Sequence, residues 1–199
     1  MNRGIYIQII ENEEFQDRIF WNESSDIYTF LRNHTLKIEH KFDTKFNSFS
    51  DNEIPIDGIK MLADGIKNDL NFLVGEYDNK PIVNGLNSVD AEYNGKQMKL
   101  YYKASKLHLM ILNLVRFLKK LESVVEKNKK VFVCGNAYFN ENMLESLMKL
   151  KSDFKKNGII EINKNQETEL TELIKNKSLI KSGENYRLTR KGLIIDIAE

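Results

Sequence analysis

The sequence predicts an α+β fold, in which small mixed sheets pack on a long central amphipathic helix. Three features lead to this prediction: alternating apolar residues near the amino terminus, an Asn-Gly turn between two alternating segments, and a long helical segment with a wide apolar stripe. The first two have the period of strands and the third has the period of helices. We expect an N-terminal α+β domain over residues 1–136 and a helix–strand–helix–hairpin unit over 137–199, or one domain that includes both, because the 199 residues are enough for either arrangement.

A strand and a helix are predicted close to the amino terminus. Ile5, Ile7 and Ile9 alternate with other residues, and this period of two indicates a strand. The run Ser24-Ser25-Asp26 offers side-chain oxygens that can cap a helix. We therefore expect a short helix over about 26–34.

A second helix is predicted after a segment without a clear period. Residues 35–52 mix phenylalanines with polar residues, and their pattern predicts neither a helix nor a strand. Ile54-Pro55-Ile56-Asp57 then opens a helix, which Gly58 and Gly65 weaken by roughly 1 kcal/mol each relative to alanine. The apolar residues of this helix share one face: Ile59, Leu62, Ile66, Leu70 and Leu73.

The two clearest local signals lie in the middle of the chain. Asn94-Gly95 readily adopts the two positive φ angles of a type I′ turn, and alternating residues on both sides predict a β-hairpin. A helix is predicted over 106–127, followed by a buried strand at Val131-Phe132-Val133-Cys134. The helix has an apolar stripe wide enough to indicate a central core helix rather than a dimer seam. The stripe consists of Leu107, Ile111, Leu114, Leu118, Leu121 and Val125.

The carboxyl-terminal segment resembles the end of a winged-helix domain. The wing of that family closes with a Tyr-x-Leu-Thr-x-x-Gly phrase, which stands here as Tyr186-Arg187-Leu188-Thr189-Arg190-Lys191-Gly192. The resemblance implies a wing hairpin with its turn at 182–185. Residues 163–180 leave room for only about one of the two helices that the family requires, and that helix carries Glu167, Glu169 and Glu172, which would repel phosphate. We therefore expect a degenerate winged helix that does not bind duplex DNA specifically.

No set of residues in the sequence matches a known catalytic or metal-binding motif. The histidines at 34, 40 and 108 lack the spacing of a metal pair, and surface or core positions are favoured for them. The single cysteine, Cys134, would be a nucleophile only beside a histidine, and a buried structural thiol is favoured. The acids Asp51, Glu53 and Asp57 could hold magnesium, yet no phosphate-binding loop accompanies them. The sequence thus favours a binding protein without catalytic residues, metal or cofactor, with an enzyme as a further alternative.

Charge and hydropathy bear on the partner and the compartment. Residues 1–95 contain 9 Lys and Arg against 17 Asp and Glu, whereas 96–199 contain 21 against 12. An acidic half and a basic half suggest a charged face for a partner, or pairing between the two halves. The sequence offers neither a signal peptide nor an apolar run of about 20 residues that could cross a membrane. We expect a cytoplasmic protein with no membrane partner.

The amino-terminal region is similar in style to bacterial immunity proteins that neutralise secreted toxins. The similarity rests on the strand Ile5–Ile10, the aromatics Phe15 and Trp21, and the segments 26–31 and 54–59. It implies a small cytosolic inhibitor that docks on a toxin, and the acidic first half would suit a basic toxin domain. The main alternative is a winged-helix regulator that binds nucleic acid through the basic second half.

A partner-binding surface is predicted within the acidic amino-terminal segment. An aromatic anchor surrounded by carboxylates would supply binding energy and attract a basic partner. The alternative is that the two aromatic residues belong to the core and that the acids are a solvated rim. The predicted surface comprises Glu11, Glu13, Glu14, Phe15, Asp17, Trp21, Glu23 and Asp26.

Overall fold

The computed structural model has the predicted α+β class. It describes residues 4–11, 14–22, 25–77, 87–127, 129–135, 143, 171, 173–175, 179–182 and 185–188. The helices and strands with bounds in this part of the chain are β1 (Gly4–Glu11), β2 (Glu14–Asn22), α1 (Asp26–Phe42), β3 (Asp51–Ile54), α2 (Ile56–Gly75), β4 (Val89–Tyr93), β5 (Lys96–Leu100), α3 (Lys106–Glu126), β6 (Lys130–Gly135), β7 (Leu179–Ser182) and β8 (Asn185–Leu188).

Four strands form an antiparallel sheet in the order β2-β1-β6-β3. The alternating isoleucines of β1 are buried, as the sequence predicted, and β1 lies between β2 and β6. Its polar residue Gln8 is buried as well, where its side-chain oxygen accepts a hydrogen bond from the Cys134 thiol at 3.1 Å. A buried amide needs such a partner because an unsatisfied one would destabilise the fold.

Helix α1 has 17 residues and is nearly twice as long as the expected segment 26–34. Its start is as predicted, because the Ser25 hydroxyl accepts from the Tyr28 backbone N–H at 3.3 Å. It continues to Phe42 and ends where Asp43 adopts a left-handed conformation. The extension is stabilised by contacts between distant residues, since buried Ile38 lies against α2. Local sequence patterns do not contain this information.

The hairpin of β4 and β5 is docked on the carboxyl-terminal end of α2. Its turn has the predicted geometry, with φ of 50° at Asn94 and 76° at Gly95. Lys96 Nζ donates to the Val74 carbonyl at 2.7 Å, which places a cation at the negative end of the helix. The Tyr77 hydroxyl accepts from the Lys99 N–H at 2.9 Å and donates to its carbonyl at 3.0 Å. These bonds connect the hairpin to the helical layer.

Helix α3 is the predicted central helix. Its apolar stripe is buried from Ile111 to Leu121 and half-buried at its ends, Leu107 and Val125, and it packs against α2 and the hairpin. Leu114 is fully inaccessible. It also reaches the sheet through Phe117, whose ring contacts that of Trp21 on β2. α3 thus connects three parts of the core.

Only a small part of the predicted carboxyl-terminal unit lies within the described residues. β7 and β8 form an antiparallel pair in which Ser182 is opposite Asn185, as the turn prediction required. Leu173 and Leu179 are buried. The remaining parts of the predicted helix–strand–helix unit, and the boundary at 136/137, lie outside the described residues, so the winged-helix resemblance stays a prediction.

The burial of α3 predicts a large difference between two leucines of the same helix. Leu114→Ala removes a fully buried side chain and should lower the free energy of unfolding by about 2–5 kcal/mol. Leu109 is 41% exposed, so Leu109→Ala should cost less than about 1 kcal/mol. Urea titrations followed by circular dichroism measure both. Equal losses would contradict the assignment of α3 as the central helix.

A second prediction concerns two glycines with opposite surroundings. A β-carbon on Gly135 would overlap the Ser48 backbone carbonyl, and the Gly135 N–H donates to the Ser50 carbonyl at 2.7 Å. Gly135→Ala should therefore cost about 3 kcal/mol or more, because backbone cannot move aside as a flexible side chain can. Gly75 ends α2 with open space around it, so Gly75→Ala should be neutral or stabilise by up to about 1 kcal/mol. Thermal unfolding of the two variants measures the contrast, which a stable Gly135→Ala variant would contradict.

Candidate functional site

A pocket lies where the edge of the sheet meets the helices. Its volume is about 240 Å³. It brings together residues from three elements that are far apart in the sequence: Ile19 and Trp21 of β2, Ile27 of α1, and Asn113, Arg116, Phe117 and Lys120 of α3. The pairing of β2 with β1 and the burial of α3 hold these elements in place.

The floor of the pocket is aromatic. The rings of Trp21 and Phe117 meet edge to face, with their centroids 4.8 Å apart and their planes at 83°. This arrangement is a preferred one for aromatic pairs and fixes both rings. Trp21 is only 2% exposed, so it forms a wall of the pocket and does not protrude from the surface.

The rim of the pocket is polar and basic. Asn113, Arg116 and Lys120 follow one another at spacings of three and four on α3, so they lie on one face of the helix. Arg116 is exposed and Lys120 is half-buried. None of the described residues that line the pocket is acidic. An apolar floor beside the exposed Arg116 can bind an apolar group that has an anionic neighbour.

The sequence-predicted partner surface is only partly described. Trp21 lies in the core, which was the alternative interpretation of the sequence, and it also borders the pocket. Asp26 is exposed and its carboxylate lies 3.6 Å from Lys106 Nζ, beside the pocket residue Ile27. The other six positions are outside the described residues or have side chains outside them: Glu11, Glu13, Glu14, Phe15, Asp17 and Glu23. A role for these six stays a prediction.

The rim residues were absent from the sequence-predicted surface. The sequence feature that could have identified them is the polar side of the helix at 106–127, where Asn113, Arg116 and Lys120 share one face. Nothing in that pattern indicates that Trp21, nearly a hundred residues away, lies beneath them.

Cys134 is placed as a structural thiol. It is 1% exposed and donates to Gln8 Oε1, with Asp51 Oδ1 at 3.5 Å. A nucleophilic cysteine needs an adjacent base and access to substrate. The acidic residues Asp51 and Asp57, which the sequence offered as possible magnesium ligands, have different neighbours. Asp51 Oδ1 lies 3.5 Å from Cys134 Sγ, whereas Asp57 Oδ1 lies 3.3 Å from Lys60 Nζ.

The three histidines occupy three different environments. His34 Nε2 lies 2.6 Å from Asp69 Oδ2 and joins α1 to α2, in space that Gly65 leaves open. His40 is exposed. His108 is 4% exposed, and its Nδ1 accepts from the Tyr101 N–H at 3.0 Å. Within the described part of the chain, no three His, Cys, Asp or Glu side chains come together as a metal site would require.

Comparison with known proteins adds no family. The sequence matches no protein-family model, and no curated protein or solved structure matches the chain. No helix in the described ranges has the length and apolar character to cross a bilayer.

The buried His108 predicts a pH dependence of stability. Burial lowers the pKa of His108 below its usual 6.5, so the folded state favours the neutral ring, whose Nδ1 accepts from Tyr101. The unfolded state takes up a proton below about pH 6.5. The stabilisation of the folded state by neutral His108 is therefore complete above about pH 6.5, and it is lost as the pH falls through the lowered pKa of His108.

His108→Asn, which keeps an acceptor near the Nδ1 position, tests this dependence. The difference in free energy of unfolding between the parent and His108→Asn should shrink between pH 7.5 and pH 5, as measured by urea titration. His40→Asn is the control, since His40 is exposed. A difference that stays constant with pH would contradict the burial argument.

Proposed function

We propose that this protein is a non-enzymatic binding protein that docks on a protein partner, as bacterial immunity proteins dock on the toxins they neutralise. The observation that carries the proposal is the pocket with the Trp21–Phe117 floor and the basic rim. Tryptophan, tyrosine and arginine are the residues that most often dominate binding energy at protein interfaces.

The size and lining of the pocket favour a protein partner over a substrate. Sites for small molecules usually span roughly 300–1,000 Å³, and this pocket is smaller at about 240 Å³. The described lining contains no carboxylate, histidine, cysteine or hydroxyl that could transfer a proton or attack a substrate. A shallow apolar pocket with a charged rim is typical of the centre of an interface.

A cytoplasmic location is part of the same proposal. A cytoplasmic inhibitor would meet a toxin inside the cell that produces the toxin or receives it. The chain has a single cysteine, Cys134, which is buried and cannot form a disulfide within the chain, and this suits a reducing compartment.

The alternative is a regulator that binds nucleic acid. It is favoured by the β7–β8 hairpin, which covers the segment that resembles a wing in sequence and includes Arg187. A basic hairpin contacts phosphates without reading bases. Such binding would be weakened strongly by salt and would lack sequence selectivity.

Co-expression with candidate toxins tests the proposal. Each reading frame adjacent to the protein's own gene is induced in a bacterial host, and one of them should arrest growth. Co-expression of this chain should restore growth, and the two purified proteins should form a stable complex on size-exclusion chromatography. Growth arrest that this chain does not relieve, for every neighbouring product, would contradict the immunity function.

Fluorescence anisotropy with duplex DNA separates the two functions. We expect no sequence-selective binding below micromolar concentration at physiological salt. Selective submicromolar binding, together with failure to relieve growth arrest, would replace the proposal with the regulator.

A further inference from the structure

The turn of the β4–β5 hairpin contains a chemically reactive pair of residues. Asn94 and Gly95 are both exposed, at φ of 50° and 76°, and nothing lies within 4 Å of the position where a side chain on Gly95 would begin. We infer that Asn94 is a site of spontaneous deamidation, that its hydrogen bond to Asn71 of α2 restrains the rate, and that the isoaspartate product loosens the hairpin from α2. This inference is independent of the pocket and of the proposed partner.

The reaction needs only the two turn residues and water. The Gly95 backbone nitrogen attacks the side-chain carbonyl carbon of Asn94, and the side-chain nitrogen leaves as ammonia with the proton that Gly95 loses. This step forms a succinimide ring. Water then opens the ring at one of its two carbonyls, which gives either aspartate or isoaspartate. Because glycine has no side chain, nothing at position 95 crowds the attacking nitrogen.

The side chain of Asn71 restrains the group that leaves. Asn94 Nδ2 donates to Asn71 Oδ1 at 3.2 Å, and the Tyr93 hydroxyl lies 3.2 Å from the same oxygen. The bond from Asn94 holds the nitrogen that departs as ammonia, so it must break during the reaction. Asn71 and Asn94 are both exposed, so the restraint slows the reaction without preventing it. The net contribution of one hydrogen bond corresponds to a factor of about two to ten in rate.

The isoaspartate product changes the length of the turn that holds the hairpin on α2. Isoaspartate routes the main chain through the former side chain and adds one atom to it, so the two-residue turn no longer fits its strands. Tyr93 and Lys96 flank the turn and are paired in the strand register. Both contact α2, through the Tyr93 hydroxyl 3.1 Å from the Lys67 carbonyl and Lys96 Nζ 2.7 Å from the Val74 carbonyl. A disturbed turn therefore displaces the two residues that attach this end of the hairpin.

Peptide mapping of the full-length protein after incubation at neutral pH tests the modification. Other Asn-Gly pairs stand at 84–85 and 157–158, and cleavage after Glu92 separates Asn94 from the pair at 84–85. The peptide that begins at residue 93 should accumulate aspartate and isoaspartate forms, which chromatography separates and mass spectrometry identifies. A synthetic peptide of residues 90–99 gives the unrestrained rate. Conversion of that peptide with none at Asn94 of the folded protein would overturn the inference.

Two alanine variants on α2 test the restraint by Asn71. Asn71→Ala should speed conversion of Asn94 by about two- to tenfold. The hairpin stays attached in this variant, because the Tyr93 hydroxyl keeps the Lys67 carbonyl as an acceptor. Asn68→Ala is the matched control, since Asn68 is exposed on the same helix, and its rate should equal that of the parent. Circular dichroism verifies that both variants fold. Equal rates in the two variants would overturn the role of Asn71.

Urea titration of the converted protein tests the structural consequence. Ion exchange isolates the fraction in which Asn94 alone has become isoaspartate, and its urea midpoint should lie below that of fresh protein. Asn94→Asp adds the same charge, keeps the length of the main chain and tolerates positive φ, so its midpoint should stay near the parent's. Asn94→Gly cannot deamidate and keeps a favoured turn, so incubation should not lower its midpoint. An unchanged midpoint for the isoaspartate fraction, or an equal loss in Asn94→Asp, would overturn the proposed loosening.

Discussion

The burial of α3 is the constraint on which the rest of the structure depends. Its apolar side, centred on Leu114, packs against α2 and the hairpin, and Phe117 extends it to the sheet. A helix with one side held in this way has no freedom to rotate, so its other side is fixed as well. The Arg116 and Lys120 side chains therefore border the pocket as a consequence of core packing.

The elements with strong local patterns were predicted from the sequence, and those that depend on distant contacts were not. Asn94-Gly95 determines its turn by its own φ preferences, and the stripe of α3 determines its helix. The length of α1 and the existence of β2 and β3 escaped prediction. α1 continues past residue 34 because buried Ile38 lies against Gly58 of α2. Only the folded chain brings such partners together.

The same limit applies to the candidate site. The sequence identified Trp21 as notable but placed it at the centre of an acidic surface. In the structure it meets Phe117, which follows it by 96 positions. That contact depends on the pairing of β2 with β1, in which Trp21 is opposite Ile5. A charge balance taken over a stretch of sequence could not reveal it, because folding set basic residues of the second half beside the first. The basic residues on the rim of the pocket could therefore be identified only from the tertiary structure.

The double role of Trp21 limits which substitutions can report on binding. Its ring is part of the core and also a wall of the pocket, so its truncation would remove buried apolar contacts and a binding surface together. A loss of binding in such a variant would carry two explanations. Arg116 has no such ambiguity, because it is exposed and its charge lies at the rim. Surface charges usually contribute little to stability, whereas a charge at the edge of an interface governs association and orientation. A Trp21 variant is thus a poor reporter of binding, whereas an Arg116 variant reports on binding directly.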